Sequence, residues 1–114
     1  MTMTAIDLVK QAKETIKEVN VEKANTMLAE GSIALDVREV AEFEEGNIPN
    51  SVHIARGVLE FQIGNHEKFQ DKDASIIVYC RSDGRSALAA IALEQLGFTN
   101  VSSMAGGYML WIES

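Results

Sequence analysis

Apolar positions recur first at helical spacing, in Ala5, Leu8, Val9, Ala12 and Ile16, and this stripe predicts an amphipathic helix in the first segment of the chain. Thr4 stands where an N-cap belongs, with Asp7 three residues on, the spacing of a capping box. A second helix is expected from Val21 to Glu30, opened by Asn20 and stopped by Gly31. The period then changes. Ile33 to Val37 is a short, mostly apolar run that reads as a buried strand, and the acidic stretch Glu39 to Glu45 reads as a short helix ended by Gly46. Ser51 to Ile54, after the Ile48-Pro49 turn, is a fainter strand signal, and Val58 to Phe69 is irregular or short-helical. Ile76 to Tyr79, β-branched and apolar, is the clearest strand, as expected of one covered on both faces. Leu88, Ala89, Ile91, Ala92, Leu93 and Leu96 then line a helix from Ser86 to Leu96, which Gly97 terminates. Val101 opens a last short strand, and Gly106-Gly107 precede an aromatic turn holding Tyr108 and Trp111. Strands alternating with helices imply a mainly parallel α/β sheet.

Length changes this picture little: 114 residues suit one core, with no linker, repeat or low-complexity tract, so residues 1–17 are expected to be a helix that is part of, or packed on, a domain spanning 18–114. Charge removes one class of partner. Ten Lys and Arg against 17 Asp and Glu leave a net charge of -7, the opposite of a nucleic-acid footprint. No apolar run approaches the roughly 18 residues of a membrane helix, and Met1 to Lys10 has neither a basic start nor an apolar stretch, so a cytoplasmic protein without a membrane partner is expected. The single cysteine, Cys80, excludes an internal disulfide and is either a small buried packing residue or a reactive thiol.

Its neighbours favour the second reading. Strand, tight loop and helix put Cys80 at the carboxyl end of a central strand, where open α/β sheets keep their ligand crevices. The loop from Cys80 to Arg85 must curl its N–H groups toward a common centre, and the positive end of the following helix points the same way. Such a site favours an anion, and a thiolate is one. Gly84 suits a tight backbone position, and Arg85 carries a planar fork able to bind an oxyanion or brace the loop. Two guanidinium groups, on Arg81 and Arg85, are a poor setting for an inert buried thiol.

The run Cys80-Arg81-Ser82-Asp83-Gly84-Arg85-Ser86 resembles the active-site loop of single-domain rhodaneses. Three further segments agree in order: Leu35 to Glu39 with Glu42-Phe43, Gly46 to Ser51, and Gly106-Gly107-Tyr108 with Trp111, so the resemblance spans about residues 18 to 112. It implies a three-layer α/β/α fold around a five-stranded, mainly parallel sheet. It implies also a thiosulfate sulfurtransferase in which Cys80 takes sulfur from a small anionic donor, holds it as a persulfide and yields it to cyanide, a thiol or an acceptor protein. By the same resemblance Arg81, Ser82, Asp83, Gly84, Arg85 and Ser86 bind the substrate, Arg81 attracts the donor, Asp36 and Arg38 form a buried pair behind the loop, and no cofactor or metal is needed. The chain departs from the pattern at Asn47, where histidine is common, at Asn50-Ser51 in place of Gly-Ala, and at Asp83. That carboxylate either opposes an anionic donor or pairs with Arg81 or Arg85. With no second cysteine, the persulfide must be discharged from outside.

Two other readings remain. Cysteine phosphatases and arsenate reductases of related fold place five residues between Cys and Arg, and four stand here; a sulfur-carrier or regulatory module is the other class. His53 and His66 have no ligand spacing and read as surface or half-buried side chains. Arg56 and the acidic run Glu39 to Glu45 read as solvated charge.

Overall fold

The computed structural model describes residues 2–114, so Met1, the first residue of the expected 1–17 segment, lies outside it. The caps form as their spacing dictates. Asp7 N donates to Thr4 Oγ1 (3.1 Å) and Thr4 N to Asp7 Oδ2 (3.0 Å), opening helix α1, Ala5–Thr15. Asn20 Oδ1 accepts from Lys23 N (2.7 Å) at the start of α2, Val21–Ala29.

Five strands form one sheet: β1 (Lys17–Val19), β2 (Ile33–Asp36), β3 (Val52–His53), β4 (Ile76–Tyr79) and β5 (Val101–Met104), in the order β1-β5-β4-β2-β3 with every pair parallel. The sheet is therefore wholly parallel, as its buried central strands require. Between them lie α3 (Val40–Glu45), α4 (Leu59–Gln62) and α5 (Gly84–Gln95), with 3-10 turns flanking α4 at 56–58, 63–65 and 67–69, and α6 (Gly107–Glu113) follows β5.

Side-chain alternation along β4 builds the two cores. Ile76 and Val78 point to one face, where they meet Leu59, Ile63, Phe69, Ala89, Ala90 and Leu93 from α4, α5 and the adjoining turns. Ile77 and Tyr79 point to the other, against Val21 and Ala24 of α2, with Tyr108 and Trp111 of α6 packed on the cluster. Helix α1 lies outside α5, its Leu8, Ala12 and Thr15 facing Leu88 and Ile91 across a shallow groove. No helix of the described residues is long and apolar enough to cross a membrane.

The structure differs from the sequence reading in three places. Strand β1 has no hydrophobic signature in Lys17-Glu18-Val19; it exists because its backbone pairs with Ser102, Ser103 and Met104 at the sheet edge. Helix α5 begins at Gly84, two residues before the expected Ser86, since the Asp83 carbonyl already accepts from Ala87 N (3.0 Å). The terminal aromatic turn is the helix α6, which docks its Tyr108 and Trp111 on the core.

Candidate active site

β4 sends the chain through α5 to β5, whereas its neighbour β2 sends it the other way, to β3 at the edge. The connections leaving the two strands therefore diverge at their carboxyl ends, the place of the loops after Asp36 and Tyr79. Cys80 is the first residue of the second loop. By alternation it falls on the Ile76 and Val78 face, below α5, and only 1% of it is exposed.

The thiol is buried between one donor and one acceptor, both on Ser86. Ser86 N, in the first turn of α5, donates to Cys80 Sγ (3.4 Å), and the thiol meets Ser86 Oγ at 3.5 Å. Ser86 Oγ in turn accepts from Ser103 Oγ of β5 (2.9 Å) and donates to Asp83 O (3.2 Å), so its orientation is set from both sides. Cys80 thus lies against the first turn of the 12-residue helix α5, at the positive end of its dipole.

Helix α6 holds the loop from behind. Tyr108 N donates to Cys80 O (2.8 Å) and Met109 N to Arg81 O (3.0 Å). Because each peptide is planar and trans, carbonyls held this way turn the N–H groups of Arg81 and Ser82 in the opposite direction. Gly107, at φ +59°, permits this approach: a Cβ there would stand 2.6 Å from both Cys80 O and Arg81 O.

The loop charges are partitioned. Arg85 forms a two-pronged pair with Glu42 of α3 (Nη1 to Oε1 2.7 Å, Nη2 to Oε2 3.1 Å), so this fork braces the loop. Asp83 pairs neither with Arg81 nor with Arg85; its Oδ2 meets Lys13 Nζ of α1 at 2.6 Å. Arg81 is exposed, has no ion pair among the described residues, and opens onto a groove of about 510 Å³ shared with Arg38, Glu42, Tyr108 and Met109.

Behind the loop, Arg38 Nη2 and Nε clasp Asp36 (2.7 and 3.0 Å), both side chains being almost wholly buried, and Nη2 reaches Gly46 O at 2.7 Å. The guanidinium stacks on Tyr108, 4.3 Å from its ring centroid. Ile48 N donates to Tyr79 Oη (3.2 Å), which fastens the Gly46 to Ser51 segment over the strand end, and burial pushes the Tyr79 hydroxyl up to about 12, keeping it neutral. His53 Nε2 lies 2.6 Å from Arg38 O, a structural contact for a half-buried histidine. Among the described residues no group of three His, Cys, Asp or Glu is arranged to hold a metal ion.

The sequence model of the rhodanese-like domain matches residues 20–114. The chain belongs to the rhodanese-like domain family. It is 33% identical over 95 residues to the thiosulfate sulfurtransferase GlpE of Pseudomonas syringae, covering 83% of this chain and 86% of that one. It is 30% identical over 110 residues to thiosulfate sulfurtransferase 18 of Arabidopsis thaliana, covering 88% and 81%. Among solved structures, the human single-domain sulfurtransferase TSTD1 superposes with a TM-score of 0.77 at 25% identity, over 85% of this chain and 96% of that one. A Rhodopseudomonas palustris protein of unknown function, described as a possible tyrosine phosphatase, superposes with a TM-score of 0.90 at 29% identity. That likeness covers 99% of this chain and 92% of the other, so it includes α1. The protein is a rhodanese-like enzyme.

Several residues of this rhodanese-like site escaped the sequence. Glu42 lies in an acidic run that resembles a solvated face, yet it holds Arg85; the signal was its place one turn after Arg38, at the same end of the sheet. Ser103 is a hydroxyl in a fully buried strand, and such a group needs a partner, which is Ser86. Arg56 is not one of them: it pairs with Glu60 at 2.9 Å in an exposed contact, as a solvated charge would.

The Arg85 fork holds the Glu42 carboxyl down to about 2 from its usual 4.5. A carboxyl lowered on folding stabilises the fold above its unfolded value and loses that contribution as pH falls through its folded one. Both side chains are about one-third exposed, so solvent limits the pair to about 1 kcal/mol. Glu42→Gln is expected to lower the melting temperature near pH 7 and to flatten its decline between pH 4.5 and 2; equal declines in both proteins, followed by circular dichroism, would reject the pairing.

Proposed function

We propose that the protein transfers sulfane sulfur from thiosulfate, or a donor like it, to a nucleophilic acceptor through a persulfide on Cys80. Its membership of the sulfurtransferases is the coarser statement, supported by relatives of that name at about a third identity over most of both chains. The observation that carries the finer one is the setting of Cys80: a single thiol facing the Ser86 amide at the start of α5, next in the chain to Arg81, a cation with no ion pair among the described residues.

In the first half-reaction the Cys80 thiolate attacks the outer sulfur of thiosulfate. A Cys80 S–S bond forms, the donor S–S bond breaks, and sulfite leaves with the electron pair. In the second, cyanide or a thiolate attacks the terminal sulfur, and its bond to Cys80 breaks to regenerate the thiolate. No oxidant, metal or cofactor enters the balance. Arg81 attracts the donor, while Ser82, Asp83, Gly84, Arg85 and Ser86 form the cradle, with Arg85 acting through its pair with Glu42 rather than as a free oxyanion ligand. The acceptor comes from outside, as a small thiol, cyanide or a protein persulfide acceptor, because the chain has no second cysteine. A reducing compartment such as the cytoplasm suits this cycle.

Intact-mass measurement of the reduced protein before and after thiosulfate tests the reading. The expected result is the gain of one sulfur atom on the peptide containing Cys80, lost again on adding cyanide. No adduct in a protein whose Cys80 alkylates readily would reject thiosulfate transfer. The phosphatase reading draws on the Rhodopseudomonas palustris neighbour. Against it stand the four residues between Cys80 and Arg85 and the engagement of both Arg85 Nη atoms by Glu42, which leaves the fork unavailable to a phosphate.

A further inference from the structure

Asp83 occupies the N-cap position of α5, where an aspartate ordinarily turns its carboxylate onto the N–H of the second or third helical residue. Here that third residue is Ser86, and no such bond forms. The Ser86 N–H instead points at Cys80 Sγ (3.4 Å), while the Asp83 carboxylate faces outward to Lys13 Nζ at 2.6 Å. The contact is long-range in the chain, linking α1 to the active-site loop 70 residues away. Helix α1 is seated there by packing as well: Val9 Cγ2 lies 3.8 Å from where a Cβ on Gly84 would be.

We propose that Lys13 is a positioning residue of the active site, drawing the Asp83 carboxylate off the start of α5 so that the Ser86 amide serves sulfur and the cradle keeps a net positive charge. The inference rests on the sulfur-transfer reading for its substrate, an anionic sulfur donor, but its physical content is the charge at Cys80. Arg85 is neutralised by Glu42, and Asp83 by Lys13, which leaves Arg81 to act on an incoming anion. Remove Lys13, and the freed carboxylate both cancels Arg81 and competes with the thiolate for the same N–H. Glu18, 3.7 Å from Lys13 Nζ, is the other carboxylate facing this ammonium, and it stands farther off than Asp83. The aspartate is thus tolerated inside an anion-binding loop because a cation from α1, which lies outside the residues matched by the family model, answers it.

Lys13→Met is expected to raise the KM for thiosulfate about two- to fivefold, the range for a partly exposed charge, with a smaller change in kcat. Lys13→Arg restores it, and Asp83→Ala lowers KM. In the Asp83→Ala background Lys13→Met has little further effect, because the carboxylate it controls is gone. A second readout needs no sulfur transfer: the ratio of Cys80 alkylation rates with iodoacetate, an anion, and iodoacetamide, a neutral reagent of similar shape. Lys13→Met lowers this ratio in the wild-type background at low salt and leaves it unchanged beside Asp83→Ala. An unaltered ratio, or an equal loss in both backgrounds, overturns the role of Lys13. Failure of wild-type protein to take sulfur from thiosulfate, with the ratio behaving as expected, overturns the donor assignment instead. Melting curves of each variant separate these effects from unfolding.

Discussion

Cys80→Ser is expected to leave a folded protein without measurable sulfur transfer, a loss of at least about 10³-fold, in the range seen when a covalent nucleophile is removed. The reason is chemical. Attack on the outer sulfur of a donor requires a soft anion at neutral pH, and a hydroxyl in the same place is neither ionised nor able to carry sulfane sulfur. The fold should survive because the replacement is smaller and keeps its polar partners: Ser86 N and Ser86 Oγ, which face Sγ at 3.4 and 3.5 Å, can both bond a serine oxygen. The cost is that of one imperfect contact in a closely packed site, about 1 kcal/mol. Rates with thiosulfate and cyanide, read beside near-ultraviolet circular dichroism and a melting curve, provide the check. Residual transfer above that level would move the nucleophile away from Cys80, and with a single cysteine in the chain the persulfide mechanism would fall with it.

Gly107→Ala should be the most damaging single change outside the loop. At φ +59° any residue with a Cβ costs about 1–2 kcal/mol in backbone strain alone. Here the added methyl must also enter the space occupied by the carbonyls of Cys80 and Arg81, 2.6 Å from each oxygen. Those are backbone atoms at the end of a buried strand and cannot swing aside. Relief requires α6 to lift, which breaks the bonds from Tyr108 N to Cys80 O and from Met109 N to Arg81 O and loosens Tyr108 from Arg38. We expect a destabilisation above about 3 kcal/mol, or else a shifted loop with at least about a hundredfold lower activity. Gly31→Ala is the control: its φ is +111° but nothing lies within 4 Å, so only the strain is felt. Similar denaturation midpoints for the two variants would show that α6 does not hold the loop in this way.

The two substitutions probe opposite sides of one loop. Ser86 in α5 addresses the sulfur through its N–H, and α6 addresses the carbonyls, so the peptides between Cys80 and Ser82 are oriented before any substrate arrives. Preorganisation of this kind is what lets backbone dipoles stabilise charge without reorganising during the reaction. It also explains why Tyr108, far along the chain from Cys80, belongs to the site.

Much of this was legible in the linear order of residues. The wholly buried strand Ile76 to Tyr79, followed at once by Cys80, a glycine-containing loop and a helix, is a local pattern whose consequence is local: a thiol at a strand end facing a helix start. The capping box at Thr4, the Asn20 cap and the alternation of β2 and β4 are equally short-range, and they form as their spacing requires. The pair of Asp36 and Arg38 was implied by the family resemblance and not by spacing, and it forms at 2.7 Å.

Only the tertiary structure decided what each loop charge does. Nothing in the linear neighbourhood of Asp83 indicates Lys13, and nothing near Arg85 selects Glu42 from an acidic run with several candidates. Strand β1 has no apolar period because its stabilisation comes from backbone pairing at a sheet edge, and Gly107 is required by an approach of α6 to a loop made some 25 residues earlier. Periodicity and capping act over a few residues and are written in the sequence. Ion-pair partners, edge pairing and close backbone approach depend on which distant segments the packed core brings together, and that is settled only when the sheet and its helices have closed.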